Sequence, residues 1–452
     1  ADIDSAIEGL VDSIRFNQGQ VCCAGSRLLV NETIAKKFYK KLKFRMNRLR
    51  IGDPLDKSID MGAIVDPKQL NAVTKLVNKN VHEGKVYQPN IKMPTKGCYY
   101  PPTLITEMEP SASLMQEEIF GPVLVSTTFR TPDEAIALAN NSKYGLAASI
   151  WTENINLALG IAPTLECGVV WINSVNQFDA AAGFGGKRES GFGREGGLEG
   201  LSGYVQPRIK TTILKKQKRY KRPISTSYSA DSLDKTLKLY IGGKQVRPDS
   251  GYSKPVFGPK GFITHVGDGN RKDIRNAVEA AHKAEHWGKS SGHLKAQILY
   301  YLAENLDQRS AEFVESILLS TGAKKEVAKK EVEASISRLF YYAAWADKFD
   351  GAVHDVPIRG VTLAMNEPLG VVGVICPEEN PLLGFISLAA PLIAMGNTSV
   401  LIPSASSPNI AANFYQILET SDVPAGVLNI ITGTEQAFVK VFTNACSVPV
   451  II

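Results

Sequence analysis

Residues 16–27 read FNQGQVCCAGSR, which sets two adjacent thiols, Cys22 and Cys23, among glycines, alanine and side-chain amides. A thiol attacks carbon only as its thiolate, and that anion needs positive potential, backbone N–H groups or a neighbouring base. The small neighbours would let backbone amides and a substrate approach closely. Residue types alone do not say which sulfur reacts, and two cysteines beside a glycine are more often structural than catalytic. Two other stretches imitate chemical motifs. His282–His286 reads HKAEH, the HxxEH zinc-protease pattern, with two histidines expected on one helix face, but no third ligand is evident and solvent-facing histidines are the expectation. Gly191–Gly196, GFGREG, fits GxGxxG, yet no strand precedes it as a phosphate-binding turn requires, so it reads as a backbone turn.

The elements that must position such residues are those of a folded protein of two or three domains. The chain has 452 residues, 44% of them hydrophobic and 21% charged. Six cysteines, with no paired CxxC motifs, read as free thiols in a reducing, cytoplasmic setting. No metal site is expected. The apolar run at 382–395 is too short to cross a bilayer and contains a proline. The chain opens on ADIDSAIEGL without methionine and closes on VPVII, so an excised fragment is the expectation. Net charge is +6, with a basic run KKQKRYKR at 215–222. No aromatic interleaving accompanies it, so a solvated linker is expected and nucleic acid is not.

From residue 26, strand-like runs (SRLLV, PVLVSTTF, AASIW, CGVVWIN) alternate with helical periodicity, the pattern of an α/β layer fold. TPDEAIALANNS predicts a helix with Thr131 as cap, Pro132 in the first turn and Glu134 completing a capping box. A strand is expected at 203–216 and a basic, Ser-rich linker at 217–233. Beyond it KLYIGGKQV predicts a hairpin, and three helical blocks follow. VVGVICP, TSVLIP, VLNIIT and VPVII then read as strands buried on both faces, the signature of a doubly wound parallel sheet of dinucleotide-binding type.

FNQGQxCxAGSR resembles the active-site signature of aldehyde dehydrogenases, and ADIDSAIEGLV resembles the helix that precedes it there. The resemblance implies that Cys22 is the nucleophile and Cys23 only its neighbour. It continues in family order through QEEIFGPVL at 116–124, NNSKYGLAASIWT, VVWIN and FDAAAGFGGKRESGFGRE at 178–195. By that resemblance Glu118 would hydrogen-bond the nicotinamide ribose of NAD or NADP, Phe120 would pack against it, Phe178 and Phe184 would line a substrate tunnel, and Asn173 would hold a supporting position. Core packing remains open for the aromatics. The strand at 203–216 resembles the family's oligomerisation segment, which implies a homo-oligomer or pairing of two units within one chain.

The second half resembles the opposite half of the same family. LYIGGKQV, NAVEAAHKAEHWGK, FYYAAWADKFDG, NEPLGVVGVICP and LAAPLIAMGNTSVLIPS follow the family's coenzyme-binding domain from its beginning. Residues 1–202 would be the catalytic half of a first unit and 234–452 the Rossmann-like coenzyme half of a second, an arrangement most like the tandem, family-16 branch. The second unit departs from the pattern: Glu379 stands where the family has an oxyanion-stabilising asparagine, Ile402 and Ala405 where it has ribose-binding lysine and glutamate, and Glu435 where it has a loop glycine. The resemblance thus implies a cysteine-dependent aldehyde oxidation in the first unit and a second unit without cofactor, with altered ligand preference as the alternative. A scaffold using both units for assembly or partner binding is the competing reading. The family's general-base glutamate and oxyanion asparagine precede the cysteine, so the 452 residues alone are expected to be inactive.

Overall fold

The computed structural model describes residues 2–205, 236–358, 360–433 and 450–451. The chain divides into two compact units, one holding residues 1–210 with Val353–Ala364, the other holding 211–352 with 365–452. Most of the strand expected at 203–216, the linker at 217–233, Glu435 and Cys446 lie outside the described residues. The first three positions of that strand are described, and Ser202–Tyr204 forms a turn of 3-10 helix there.

In the first unit, helix α1 (Ile3–Arg15) starts at Asp2, whose side chain accepts from Ser5 N. Strand β1 (Arg27–Asn31), α2 (Glu32–Met46), α3 (Pro67–Asn80), β2 (Lys85–Tyr87), β3 (Thr103–Thr106), the single turn α4 (Ser113–Gln116) and β4 (Val123–Phe129) follow. The strands lie in the order β1-β4-β3-β2, with β1, β4 and β3 parallel and β2 antiparallel at the edge. Successive residues of β3 and β4 serve opposite faces. Leu104 and Leu124 pack with α1 and α2 through Leu10, Phe38 and Leu42, while Ile105, Val123 and Val125 pack with Val73, Val77 and Met115. A strand buried on both faces must be apolar throughout, which is why PVLV carries no alternation.

Helix α5 (Pro132–Asn140) begins with Thr131 Oγ1 accepting from Glu134 N at 3.2 Å. The reciprocal half of the expected box is displaced by one residue, because the Glu134 carboxylate accepts from Arg130 N at 2.8 Å rather than from Thr131. Short elements then build the wall of the site: β5 (Tyr144–Gly145), β6 (Ala147–Ile150), α6 (Ile155–Ile161), β7 (Val169–Ile172), β8 (Phe184–Gly185), β9 (Lys187–Arg188), β10 (Arg194–Glu195) and α7 (Gly197–Leu201). Strands β6 and β7 are parallel, whereas β5 with β9 and β8 with β10 are antiparallel.

The second unit opens with the predicted hairpin, β11 (Leu239–Ile241) and β12 (Lys244–Val246), turning through Gly242 and Gly243 at φ 60° and 76° as a two-residue loop demands. A second hairpin, β13 (Ser253–Gly258) and β14 (Gly261–Gly267), precedes α8 (Arg271–Lys283), α9 (Gly292–Gln308), α10 (Ser310–Thr321) and α11 (Lys325–Trp345). Helix α8 ends at Lys283, so His286 sits in a following 3-10 turn rather than on the helix face expected for HKAEH. His282 Nδ1 meets Glu285 at 2.8 Å instead, and no metal-binding cluster occurs among the described residues.

Strands β15 (Ala352–His354) and β16 (Thr362–Ala364) form a two-stranded sheet that groups mainly with the first unit, where His354 lies 3.5 Å from Glu199. The remaining elements are β17 (Val371–Ile375), α12 (Pro381–Ala394), β18 (Thr398–Ile402), α13 (Pro408–Asn413), α14 (Tyr415–Thr420), β19 (Leu428–Ile430) and β20 (Val450–Ile451). The sheet order is β12-β11-β19-β18-β17-β20, with β17 to β20 parallel. Chain order reverses direction at β17, as a doubly wound sheet requires. Val372, Val374, Leu401 and Leu428 face α9, α11 and α12, and Val371, Ile375, Val400 and Ile402 face α8. Ile402, read as a replaced ligand anchor, is 2% exposed and belongs to this core. The run at 382–395 is α12 and Met395, and no described helix is long and apolar enough to cross a membrane.

One charged group inside this core fixes a helix end. Glu331 on α11, 6% exposed, accepts from Leu382 N at 2.9 Å and Leu383 N at 3.3 Å in the first turn of α12. Burial pushes its carboxyl above the usual range, and the two N–H bonds only partly offset that. A raised carboxyl pKa means that the protonated form is the better-tolerated one, so this contribution is complete below the unfolded pKa and is lost as pH rises through the folded value. Glu331→Gln keeps an acceptor without the charge. Its melting temperature should equal or exceed that of the parent at pH 8, with the difference shrinking toward pH 4. Glu331→Ala should lose about 1–3 kcal/mol at both, because two buried N–H groups lose their acceptor; thermal unfolding across that range checks both.

Candidate active site

The stretch between α1 and β1 presents Cys22. After Phe16, three consecutive residues take left-handed backbone conformations: Asn17 (φ 47°), Gln18 (φ 56°) and Gly19 (φ 70°). Each non-glycine residue there costs about 1–2 kcal/mol. Local hydrogen bonds offset part of it: Asn17 Nδ2 donates to Gln20 O at 3.0 Å, Gln20 N donates to Asn17 O at 3.0 Å, and Val65 N donates to Gln20 Oε1 at 3.1 Å. Gly19 has a second reason to be glycine, since a Cβ there would lie 2.3 Å from Gly121 O. The loop carrying Glu118 and Phe120 therefore meets the cysteine loop backbone to backbone.

The two sulfurs differ sharply. Cys22 is exposed and Cys23 is buried. Burial, reinforced by the neighbouring Cys22, pushes the Cys23 thiol up to about 11, and Cys23 Sγ donates to Asn176 Oδ1 at 3.3 Å. Cys23 is thus a thiol at neutral pH and Cys22 the accessible sulfur. Cys98 and Cys376 are also free thiols, with burial pushing Cys376 up to about 12.

A cavity of about 660 Å³ opens beside the pair, lined by Phe16, Cys22, Cys23, Asn176, Phe178 and Phe184 among others. Phe178 packs edge-on against Phe184 at 5.0 Å and against Trp171 at 5.5 Å. Trp171 is buried on β7 and donates from Nε1 to Gln177 O at 3.1 Å, while Phe178 stays 49% exposed. Phe178 is therefore a wall and not a core residue. Asn173, at φ 51°, closes the end of β7 by clamping Thr152 with both amide atoms, accepting from its N at 2.9 Å and donating to its O at 2.8 Å. A second cavity of about 680 Å³ lies on α1, Asp60 and residues 173–177, and Phe16 lines both.

The structure brings Cys22, Phe178 and Phe184 to one cavity. Glu118 and Phe120 do not line it. Glu118 is exposed, and Phe120 is 36% exposed with φ 55°, its carbonyl accepting from Gln69 Nε2 at 2.9 Å. Both side chains are exposed on the loop that Gly121 brings against the cysteine loop. Residues that sequence reading missed are Phe16, Trp171, Asn176 and Gly121. Asn176 had no signal, while Gly121 could have been flagged as the glycine before Pro122. In the second unit Glu379 is exposed, and Ala405 N donates to Glu378, not to Glu379.

Gly19→Ala should cost at least about 2 kcal/mol in urea unfolding, since it adds steric overlap with Gly121 to the left-handed penalty. Site-mapped alkylation by iodoacetamide at pH 7.5 should label Cys22 well ahead of Cys23. A thiol raised from 9.0 to about 11 holds about a hundredfold less thiolate. In Cys22→Ser, labelling of Cys23 should climb only as pH approaches 11.

The chain matches the aldehyde dehydrogenase family over residues 1–210 and 251–452. It is 39% identical over 216 residues to a mitochondrial benzaldehyde dehydrogenase of Antirrhinum majus, covering 48% of this chain and 40% of that protein. It is 40% identical over 216 residues to retinal dehydrogenase 2 of Mus musculus, covering 48% and 41%. Among solved structures, betaine aldehyde dehydrogenase from Staphylococcus aureus in complex with NAD+ is 34% identical, covers 48% of this chain and 46% of that one, and superposes with a TM-score of 0.44. The chain spans about two-fifths of the length of the curated relatives it matches. With both halves matched and the cysteine signature on an accessible cavity, this chain belongs to the aldehyde dehydrogenase family.

Proposed function

We propose that the protein oxidises aldehydes to carboxylic acids with NAD or NADP, and that Cys22 is its nucleophile. The observation that carries this reading is the accessible Cys22 sulfur on a cavity walled by Phe178 and Phe184. The Cys22 thiolate adds to the carbonyl carbon, forming a C–S bond and placing negative charge on oxygen. Phe178, Phe184 and Phe16 hold the apolar part of the substrate and exclude water from the carbon under attack. This favours uncharged aldehydes of moderate size, in keeping with benzaldehyde and retinal as named substrates of relatives. Glu118 and Phe120 fit a nicotinamide nucleotide, an exposed carboxylate for ribose hydroxyls and a ring for the nicotinamide, and the bound nucleotide supplies the hydride acceptor. Loss of the carbon-bound hydrogen as hydride to that acceptor, with the C=O re-formed from the oxyanion, would leave a thioester on Cys22, which water hydrolyses to the carboxylic acid and the free thiol in a step that needs a general base.

In the family the general-base glutamate and the oxyanion asparagine precede the cysteine. Only 21 residues precede Cys22 here, and none matches them. The second unit is read as non-catalytic, in a tandem of family-16 type, in which the chain acts in a reducing compartment such as the cytoplasm and assembles as a homo-oligomer or by pairing of its two units. For the second unit the scaffold reading is favoured by the Glu378 carboxylate, which occupies the loop at 404–406.

Two measurements test this. In a chain extended to include the family's base and asparagine segments, Cys22→Ser should lower NADH production by about 10³-fold or more while Cys23→Ser lowers it less than tenfold. Equal loss in both variants, or turnover by Cys22→Ser, would sink the assignment. The 452-residue chain should give no NADH with benzaldehyde, although benzaldehyde should still slow alkylation of Cys22.

A further inference from the structure

Open doubly wound sheets take their ligands in the crevice outside the carboxyl ends of the parallel strands. In the second unit the loops leaving β17 and β18 lie at that edge, beside the switch point at β17, and the two strands run parallel from Val371↔Thr398 to Ile375↔Ile402. A carboxylate from the first loop is planted among the donors of the second. Glu378 Oε1 accepts from Ala405 N at 2.8 Å. Its Oε2 accepts from Ser404 Oγ at 2.9 Å, from Ser406 N at 3.1 Å and from the Ser406 hydroxyl in a short hydrogen bond. Ser404 is 1% exposed and is itself fixed, accepting from Ser407 N at 3.2 Å. Four convergent donors, two of them successive backbone N–H groups, are what an oxyanion site offers, and no lysine or arginine pairs with Glu378 among the described residues.

We infer that loop 404–406 is an anion-binding site whose resident ligand is the chain's own Glu378 carboxylate, and that a free carboxylate or phosphate takes the same four donors when that side chain is removed. Burial pushes the Glu378 carboxyl up, but the bonds from Ser406, Ala405 and Ser404 outweigh it and hold the group below the usual glutamate range. The carboxylate thus stays ionised at neutral pH. A free anion reaching the loop meets four donors already engaged by a group of its own charge. Nothing in this depends on the chemistry of Cys22.

Chemical rescue tests the assignment on the whole 452-residue chain. Glu378→Ala should lower the melting temperature. Formate, acetate or inorganic phosphate should restore it saturably, with an apparent affinity about millimolar at best for so few atoms, while sodium chloride at matched ionic strength should not. The parent chain should shift no more in these anions than in chloride. Glu378→Gln, whose amide still fills the site, should show no rescue, and Glu378→Ala with Ser404→Ala and Ser406→Ala should lose it. If Glu378→Ala does not fold unaided, its refolding yield in formate against chloride measures the same rescue. Absence of anion-specific recovery, or an equal shift in the parent chain, would overturn the inference. Cys22 alkylation rates should be unchanged in every variant, so failure here leaves the catalytic reading untouched, and the reverse also holds.

Discussion

The site in the first unit depends on one backbone contact. Gly19 and Gly121 come so close that a single methyl group would fall 2.3 Å from a carbonyl oxygen. To reach that contact the chain leaves α1 through three left-handed residues, two of them not glycine, at a conformational cost that the Asn17, Gln20 and Val65 hydrogen bonds partly offset. This contact fixes the loop bearing Cys22 against the loop bearing Glu118 and Phe120, and Gly121 in turn packs on Val73 of α3. The spacing between Cys22 and the residues Glu118 and Phe120 is therefore set by main chain and not by side-chain packing. Main-chain contact tolerates almost no drift, which explains why a short stretch can be so demanding in its residue types.

The adjacent cysteines then divide the work by burial. Cys23 turns inward and meets Asn176 at 3.3 Å, and Asn176 lies two residues before Phe178, the exposed ring of the cavity wall. The second sulfur thus ties the cysteine loop to the wall loop, while the first faces the space between them. Held as a neutral thiol by desolvation, Cys23 can donate that hydrogen bond across the whole neutral range. A thiolate in its place would carry no proton to give.

Features governed by local backbone rules were legible in the sequence. The doubly wound sheet followed from unbroken apolar strands, the β11–β12 hairpin from its paired glycines, and the start of α5 from Thr131 and Pro132. The cysteine signature singled out Cys22, which is the exposed sulfur of the pair. Features governed by contacts between distant residues were not legible: Asn176 under Cys23, Glu331 at the start of α12, and Glu378 in the β18 loop are separated from their partners by 153, 51 and about 27 residues. Near misses fall at element ends, where energy differences are small. Glu134 capped Arg130 instead of Thr131, and α8 stopped three residues short of His286. Glu379 drew attention as the acid at a family position, yet Glu378 beside it is the one that is engaged.

The Glu378 contact sits apart from the packing that holds the sheet together. The core of the second unit is built mainly from strand residues and helices α8 to α14, and of the loop leaving β17 it takes Cys376 but not Glu378. Ile402 is itself part of that core. The β18 loop, exposed at Ala405 and Ser406, presents N–H and hydroxyl groups that converge on one spot, where water or an anion can accept from them. Glu378, placed on the neighbouring loop at the carboxyl end of β17, is an acceptor already tethered to the chain. Its tether fixes its local concentration, so its contact with the loop does not depend on any dissolved anion.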